Sequence, residues 1–220
     1  VLRDQMDETE TNQRLLSDLL TFSFVLTVPG SSDFTYHDST RQLLWQDWQT
    51  TEYVTEFANY KSRLLNFYRS QGESARQRKE YETALKYFNW ALELVAEDGG
   101  LYASRGRTHL DMGDYQAALT DLNRSLVFNP VDTDTYFYIG TANYYLQKMA
   151  ESQTAFSKVI ELDPTNVVAY AFRGLAYYVQ KKYEQALIDY SEAIRLNPQY
   201  AYAYSNRGLT YYEQKEYEKA

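Results

Sequence analysis

The sequence predicts an all-α solenoid built from antiparallel helix pairs. Three observations carry that prediction. Gly72, Gly106, Gly140, Gly174 and Gly208 stand 34 residues apart, and a fixed period of this length is the signature of a stacked helical repeat. Ala84, Ala118, Ala186 and Ala220 keep the same register, with Ser152 in the remaining copy. Asn129-Pro130, Asp163-Pro164 and Asn197-Pro198 close successive copies with turn chemistry.

Taken in order, residues 1 to 14 are polar and acidic (Asp4, Asp7, Glu8, Glu10) and read as a mobile tail or the start of a helix. Leu15/Leu16 and Leu19/Leu20 are spaced as on a helix, whereas Phe22, Phe24, Leu26 and Val28 alternate as in a strand. The two periods conflict and leave this stretch ambiguous. Val28-Pro29-Gly30-Ser31-Ser32-Asp33 then breaks it. Asp38-Ser39-Thr40 offers N-caps, and Leu44, Trp45, Trp48, Tyr53, Phe57, Tyr60, Leu64 and Leu65 follow at mostly helical intervals. No Gly or Pro falls between Thr40 and Gln71, so one long helix or two abutting ones run into the first repeat. Residues 1–64 form an N-terminal extension, partly helical. It either covers the apolar end of the solenoid, which terminal repeats require, or docks a partner.

The array occupies residues 65–220, in copies 65–98, 99–132, 133–166, 167–200 and a truncated 201–220. Position four is Tyr in every copy: Tyr68, Tyr102, Tyr136, Tyr170 and Tyr204. Position seventeen is Tyr81, Tyr115, Met149, Tyr183 and Tyr217, and position twenty-four is Phe88, Leu122, Phe156 and Tyr190. Small residues at eight and twenty let the two helices of a pair approach. Large ones at four, seventeen and twenty-four fill the gaps between pairs. Pro at thirty-two cannot continue the second helix.

These residues resemble the tetratricopeptide repeat. Its pattern has an aromatic at four, Gly at eight, an aromatic at eleven, Ala at twenty, an aromatic at twenty-four, a small residue at twenty-seven and Pro at thirty-two. Tyr170–Gly174 and Tyr204–Gly208, both Tyr-x-x-Arg-Gly, are similar to a common bacterial style of the repeat. The resemblance implies a right-handed superhelix, a non-catalytic role and a concave groove lined by the first helix of each pair. Departures are also visible. Position eleven is Ala75, His109 and Asn143 before becoming Tyr177 and Tyr211. Copy three has Met149 and Ser152 in place of Tyr and Ala, and copy one lacks the Pro.

Carried onto this chain, the groove positions implied by the resemblance are Arg107 and Asp111 in copy two, and Asp134, Phe137, Tyr138, Thr141, Tyr144 and Tyr145 in copy three. Copy four supplies Phe172, Leu175, Tyr178 and Val179, and copy five Tyr202, Ser205, Asn206, Leu209 and Tyr212. From copy three onward such a groove is aromatic and suits a partner peptide or helix with apolar or aromatic anchors. The alternative is that several of these tyrosines only pack against the next copy. Members of this family that clamp acidic chaperone tails use Lys, Asn and Arg at fixed positions. Here copies one to three offer Arg69, Glu73, Ser104, Asp134 and Tyr138, and copies two to four Ala103, Arg107, Tyr138, Val168 and Phe172. The carboxylate clamp is absent, so no chaperone-tail binding is expected.

Composition limits the chemistry. A net charge of −8 argues against sequence-independent nucleic-acid binding. The local basic cluster of Lys61, Arg63, Arg69, Arg76, Arg78 and Lys79 is interleaved with Glu73, Glu80 and Glu82, and reads as a solvated helix surface or a docking patch. There is no cysteine, hence no disulfide, thiolate or cysteine-ligated metal. His37 reads as a loop residue and His109 as occupying a ring's slot; neither has a partner at metal-ligand spacing. No phosphate-binding glycine loop or Gly-x-Ser-x-Gly elbow is present. No cofactor and no metal are expected. The most apolar run, Leu19 to Val28, is about half the ~20 residues a spanning helix needs, so no transmembrane span is expected, and peripheral association with a membrane complex stays open. The cytoplasm is the favoured compartment, with a periplasmic or membrane-peripheral place not excluded. The chain is expected to be an interaction scaffold, adaptor or assembly subunit. The alternative is the repeat arm of a larger enzyme whose catalytic domain lies outside these residues. Val1 in place of Met and the stop within copy five fit that alternative.

Overall fold

The computed structural model describes residues 54–216 and 218–219, and every regular element among them is an α-helix. The expectations for residues 1–53, including His37, Trp45 and Trp48, lie outside the described residues, as do Tyr217 and Ala220. The helices are α1 Val54–Gln77, α2 Tyr81–Leu94, α3 Gly99–Met112, α4 Tyr115–Phe128, α5 Thr133–Tyr145, α6 Met149–Leu162, α7 Val167–Val179, α8 Tyr183–Leu196 and α9 Ala201–Glu213. The residues of each copy from the second to the fourth thus form one helix pair. Among the described residues, helix α1 runs unbroken from Val54 through the first half of copy one.

The chain divides into two compact units, Val1–Ser74 with Lys86–Ala96, and Ala75–Leu85 with Glu97–Ala220. In the first, Leu64, Tyr68, Phe88, Ala91, Leu92 and Leu94 are buried. Phe88 lies against Gly72, where an added Cβ would come within 2.7 Å of its ring. Phe67, Tyr68, Tyr87 and Trp90 form one aromatic cluster, with Tyr68 and Trp90 centroids 5.4 Å apart.

In the second unit α3 packs on α4, α5 on α6 and α7 on α8, while α4–α5, α6–α7 and α8–α9 join successive pairs. The repeat glycines sit where the two helices of a pair touch. A Cβ at Gly106 would lie 2.9 Å from Leu122 Cγ, one at Gly140 2.8 Å from the Phe156 ring and one at Gly174 2.9 Å from the Tyr190 ring. Position eight is therefore small because position twenty-four is large and presses on it. Ser152 replaces the usual Ala at twenty without a buried orphan, since its hydroxyl donates to the Gly140 carbonyl at 2.9 Å.

The turn inside each copy has a common geometry. Lys79, Gly113, Gln147, Lys181 and Lys215, all at position fifteen, have φ between 59° and 84°. The next N–H in each case bonds the carbonyl five residues back, as Lys148 does to Asn143 and Lys182 to Tyr177 at 2.9 and 3.0 Å. This is a left-handed helix stop that satisfies the terminal carbonyls. Only Gly113 adopts it without a steric cost.

Candidate functional site

The residues expected to line a groove come from α3, α5, α7 and α9, and the structure groups them unevenly. Phe137, Phe172 and Tyr202 form one row along α5, α7 and α9. Phe137 and Phe172 meet edge to face at 5.5 Å, and Phe172 and Tyr202 stack at 5.8 Å with 16° between their planes. Phe156 backs the row, 5.5 Å from Phe137 and 5.8 Å from Phe172. Sequential helix layers bring these positions together because each copy repeats the last one helix-width further on.

At the copy-two end the row turns polar. The Arg107 guanidinium lies 5.1 Å over the Tyr138 ring. Asp111 accepts from Arg76 at 3.1 Å, and Asp134 is exposed beside Tyr138. Burial, the largest influence, raises the Tyr138 phenol above its ordinary value, with Arg107 acting the other way. Tyr144 and Tyr145 meet edge on at 5.6 Å, and Tyr145 stacks on Tyr115 at 4.8 Å while remaining 53% exposed. Tyr178 leans on Tyr183 at 5.8 Å. Tyr212 is 59% exposed. Two of the expected residues have their polar groups engaged within their own helices: Thr141 donates to Phe137 O at 3.0 Å and Asn206 to Tyr202 O at 2.8 Å.

Sequence reasoning missed Tyr190. It is fully buried at position twenty-four, and its hydroxyl has no hydrogen-bond partner. Burial first, then neighbouring Tyr202, Tyr144 and Tyr178, raise its pKa far above the ordinary phenol value. Tyr144, Tyr178 and Tyr202 thus lie near Tyr190, and burial raises each of these phenols as well. Phe88 and Phe156 occupy the same position without a hydroxyl, and nothing in the sequence marks Tyr190 as orphaned.

Two ion pairs, each of a buried aspartate with a half-buried arginine, were missed as well. Arg105 donates twice to Asp121 at 2.7 Å, and Arg173 twice to Asp189 at 2.8 and 2.7 Å. Both join position seven to position twenty-three, 16 residues on. The signal was present, because Arg and Asp occur together in copies two and four and both are gone in copy three. His109 does take a ring's slot, half-buried, with Asp114 and Asp121 each 3.9 Å away. From the basic cluster, Arg76 pairs with Asp111 and Arg78 with Glu80 at 3.0 Å. Among the described residues no three His, Cys, Asp or Glu side chains converge as a metal site, and no helix is long and apolar enough to cross a membrane.

With this geometry in hand, comparison with known proteins is specific. Residues 69–133 and 103–167 match the profile described as tetratricopeptide repeat, and residues 174–215 one described as TPR repeat. No curated protein matches the chain. Among solved structures it is similar to MamA, residue 41 to the end, from Desulfovibrio magneticus RS-1, with TM-score 0.67 and 20% identity over 70% of this chain and 88% of that one. It is also similar to YrrB, described as a TPR protein with an unusual peptide-binding site, with TM-score 0.61 and 23% identity over 77% of this chain and 86% of that one. A third is the first TPR of Spaghetti (RPAP3) bound to the HSP90 peptide SRMEEVD, with TM-score 0.52 and 19% identity over 54% of this chain and 94% of that one. At these identities the likeness establishes the fold.

Proposed function

The chain belongs to the tetratricopeptide repeat family, and we propose that it is a non-catalytic interaction scaffold that holds a partner's peptide or helical segment along the first-helix face of copies three to five. The observation that carries this reading is the row Phe137, Phe172, Tyr202, continued outward by exposed Tyr145, Leu209 and Tyr212. Rigid aromatics supply contact area at little entropic cost, because few torsions have to be frozen. A row already held by edge-to-face and stacked contacts is preorganised, which lowers the cost of binding further.

The expected partner is apolar rather than acidic. Of the groove positions carried over from the resemblance in copies three to five, Asp134 bears the one charge, and it is negative. Arg107 is already seated on Tyr138. The groove positions of these copies therefore offer an acidic tail, like the peptide on the RPAP3 neighbour, no clamp of cations, and no such binding is expected.

The test uses side chains that are exposed, so that the fold survives. Tyr145→Ser/Leu209→Ser/Tyr212→Ser is compared with wild type in pull-downs from the native source, with a thermal melt to show that the variant is folded. Loss of the principal partners is expected. An unchanged partner set on a folded variant counts against this face.

A further inference from the structure

Copy three carries a second feature, separate from the aromatic row. A cleft of about 930 Å³ opens there, and none of the groove residues named above lines it. Its origin lies in what the other copies place in the same space. In copies two, four and five the position-seven arginine lies over the position-four tyrosine: Arg105 over Tyr102 at 5.5 Å, Arg173 over Tyr170 at 5.6 Å and Arg207 over Tyr204 at 5.4 Å. Two of these arginines also reach a serine of the preceding copy, Arg173 to Ser157 at 3.0 Å and Arg207 to Ser191 at 3.5 Å. Copy three has Ile139 at position seven, Ala155 at twenty-three and Asn143 where a ring belongs at eleven. Among the described residues no cation covers Tyr136, and Tyr136, Ile139, Asn143 and Ala155 all line the cleft.

The remaining walls offer acceptors for a cation. Asn123 lines the cleft from the position that Ser157 and Ser191 use to meet an arginine in the later copies. The Gln153 side chain also lines the cleft, and its amide has a buried nitrogen with no partner. Asn143 is only 6% exposed and faces the cavity. On the rim, Lys158 is held by Glu161 at 2.6 Å, so the charge left over is the carboxylate of Glu151. Arg173 touches the edge through Ser157, but Asp189 neutralises it.

We propose that this cleft receives an arginine side chain from a partner protein, supplying in trans the guanidinium that position seven supplies in cis elsewhere. A planar fork with five donors matches a ring face, several amide oxygens and one carboxylate better than an ammonium does. The site does not depend on the aromatic row, so either can fail alone.

The probe is the peptide acetyl-Ala-Ala-Arg-Ala-Ala-amide, with its citrulline counterpart, which keeps the shape and loses the charge. Each is titrated into ¹⁵N-labelled protein. The arginine peptide is expected to shift the amides of Tyr136, Asn143 and Gln153 saturably, with an affinity on the order of millimolar for so short a ligand. The citrulline peptide should bind at least about tenfold more weakly, since a desolvated cation–ring contact and a charged hydrogen bond are both lost. Ile139→Arg/Ala155→Asp transplants the copy-four pair and should abolish the shifts. Asn143→Tyr, copying Tyr177, closes the cleft by a second route should the double variant fail to fold. Tyr145→Ser/Leu209→Ser/Tyr212→Ser should bind the peptide as wild type does. Equal affinity for the two peptides, no shifts with the arginine peptide, or undiminished binding to either folded cleft variant overturns the proposal.

Discussion

Copies two and four close their helix pairs around an arginine bound to a buried aspartate, whereas copy three closes the same pair around Ile139 and Ala155. The backbone result is the same in all three: two helices, a left-handed residue at position fifteen, and a glycine pressed by position twenty-four. The charge pair is therefore not what makes the fold. Asp189 is 3% exposed, and burial raises its pKa more than the Arg173 bonds lower it. Such a pair costs nearly as much in lost hydration as it returns in attraction. What it does is fill space with a specified geometry. Copy three gives that up, and the result is a cleft.

Removing half of a pair is the most damaging change. Arg173→Ala leaves Asp189 buried without its cation and should cost about 3–5 kcal/mol in denaturant unfolding. Arg173→Ile/Asp189→Ala, which turns copy four into copy three, should cost clearly less than that single change. If the double variant is the worse of the two, the ion pair is a net stabiliser and the comparison is wrong.

Next is the glycine contact that copies one to four share. Gly140→Val places new atoms against the Phe156 ring, where even a Cβ would lie at 2.8 Å. Overpacking of this kind should cost about 1–3 kcal/mol. Gly174→Val should cost a similar amount despite the neighbouring ion pair, and both are read from urea midpoints. A much smaller loss in copy three would mean that its cleft lets the helices part.

Tyr190→Phe sharpens the account in the opposite direction. It removes a buried hydroxyl with no partner and should raise stability at neutral pH by about 1 kcal/mol. It should also change the alkaline limb. The unfolded chain releases the Tyr190 proton near the ordinary value of 10.0, while the folded chain keeps it. The unfolded state thus binds fewer protons above that pH, so this stability is complete below pH 10 and falls as pH rises. Chemical melts of the variant between pH 9 and 11 should show a shallower decline than wild type. The smallest effect is expected at position fifteen. Lys181→Gly relieves a left-handed lysine and should add about 0.5–1 kcal/mol, where Gly113→Ala should lose a similar amount in thermal melts.

Much of the fold was legible because periodic small and large residues report directly on helix contact. Gly106, Gly140 and Gly174 with Leu122, Phe156 and Tyr190 placed every helix pair of the second unit. Less could be read at position fifteen, because Lys79, Gln147, Lys181 and Lys215 do not announce a left-handed turn as Gly113 does. The 16-residue link from Arg173 to Asp189 was readable in principle from its joint loss in copy three. The cleft was not, since it is made of three absences at once, Ile139, Asn143 and Ala155. For the proposed partner-binding face, the family resemblance placed Phe137, Phe172 and Tyr202 on a common side. It could not show that Thr141 and Asn206 bond their own helices, or that Tyr190 lies beneath with an unused hydroxyl. Those facts depend on side-chain direction, which spacing alone does not determine.

Partners seated on the first-helix face of copies three to five, as proposed, can be captured in place. The most direct test places a photo-crosslinking amino acid singly at Tyr145, at Tyr212 and, as the control, at Ile188, which is 68% exposed on α8. Crosslinking is carried out in the native source. One shared adduct is expected from positions 145 and 212 and none of it from 188. The same partner captured from 188, with none from the two tyrosine positions, would contradict the proposed seat.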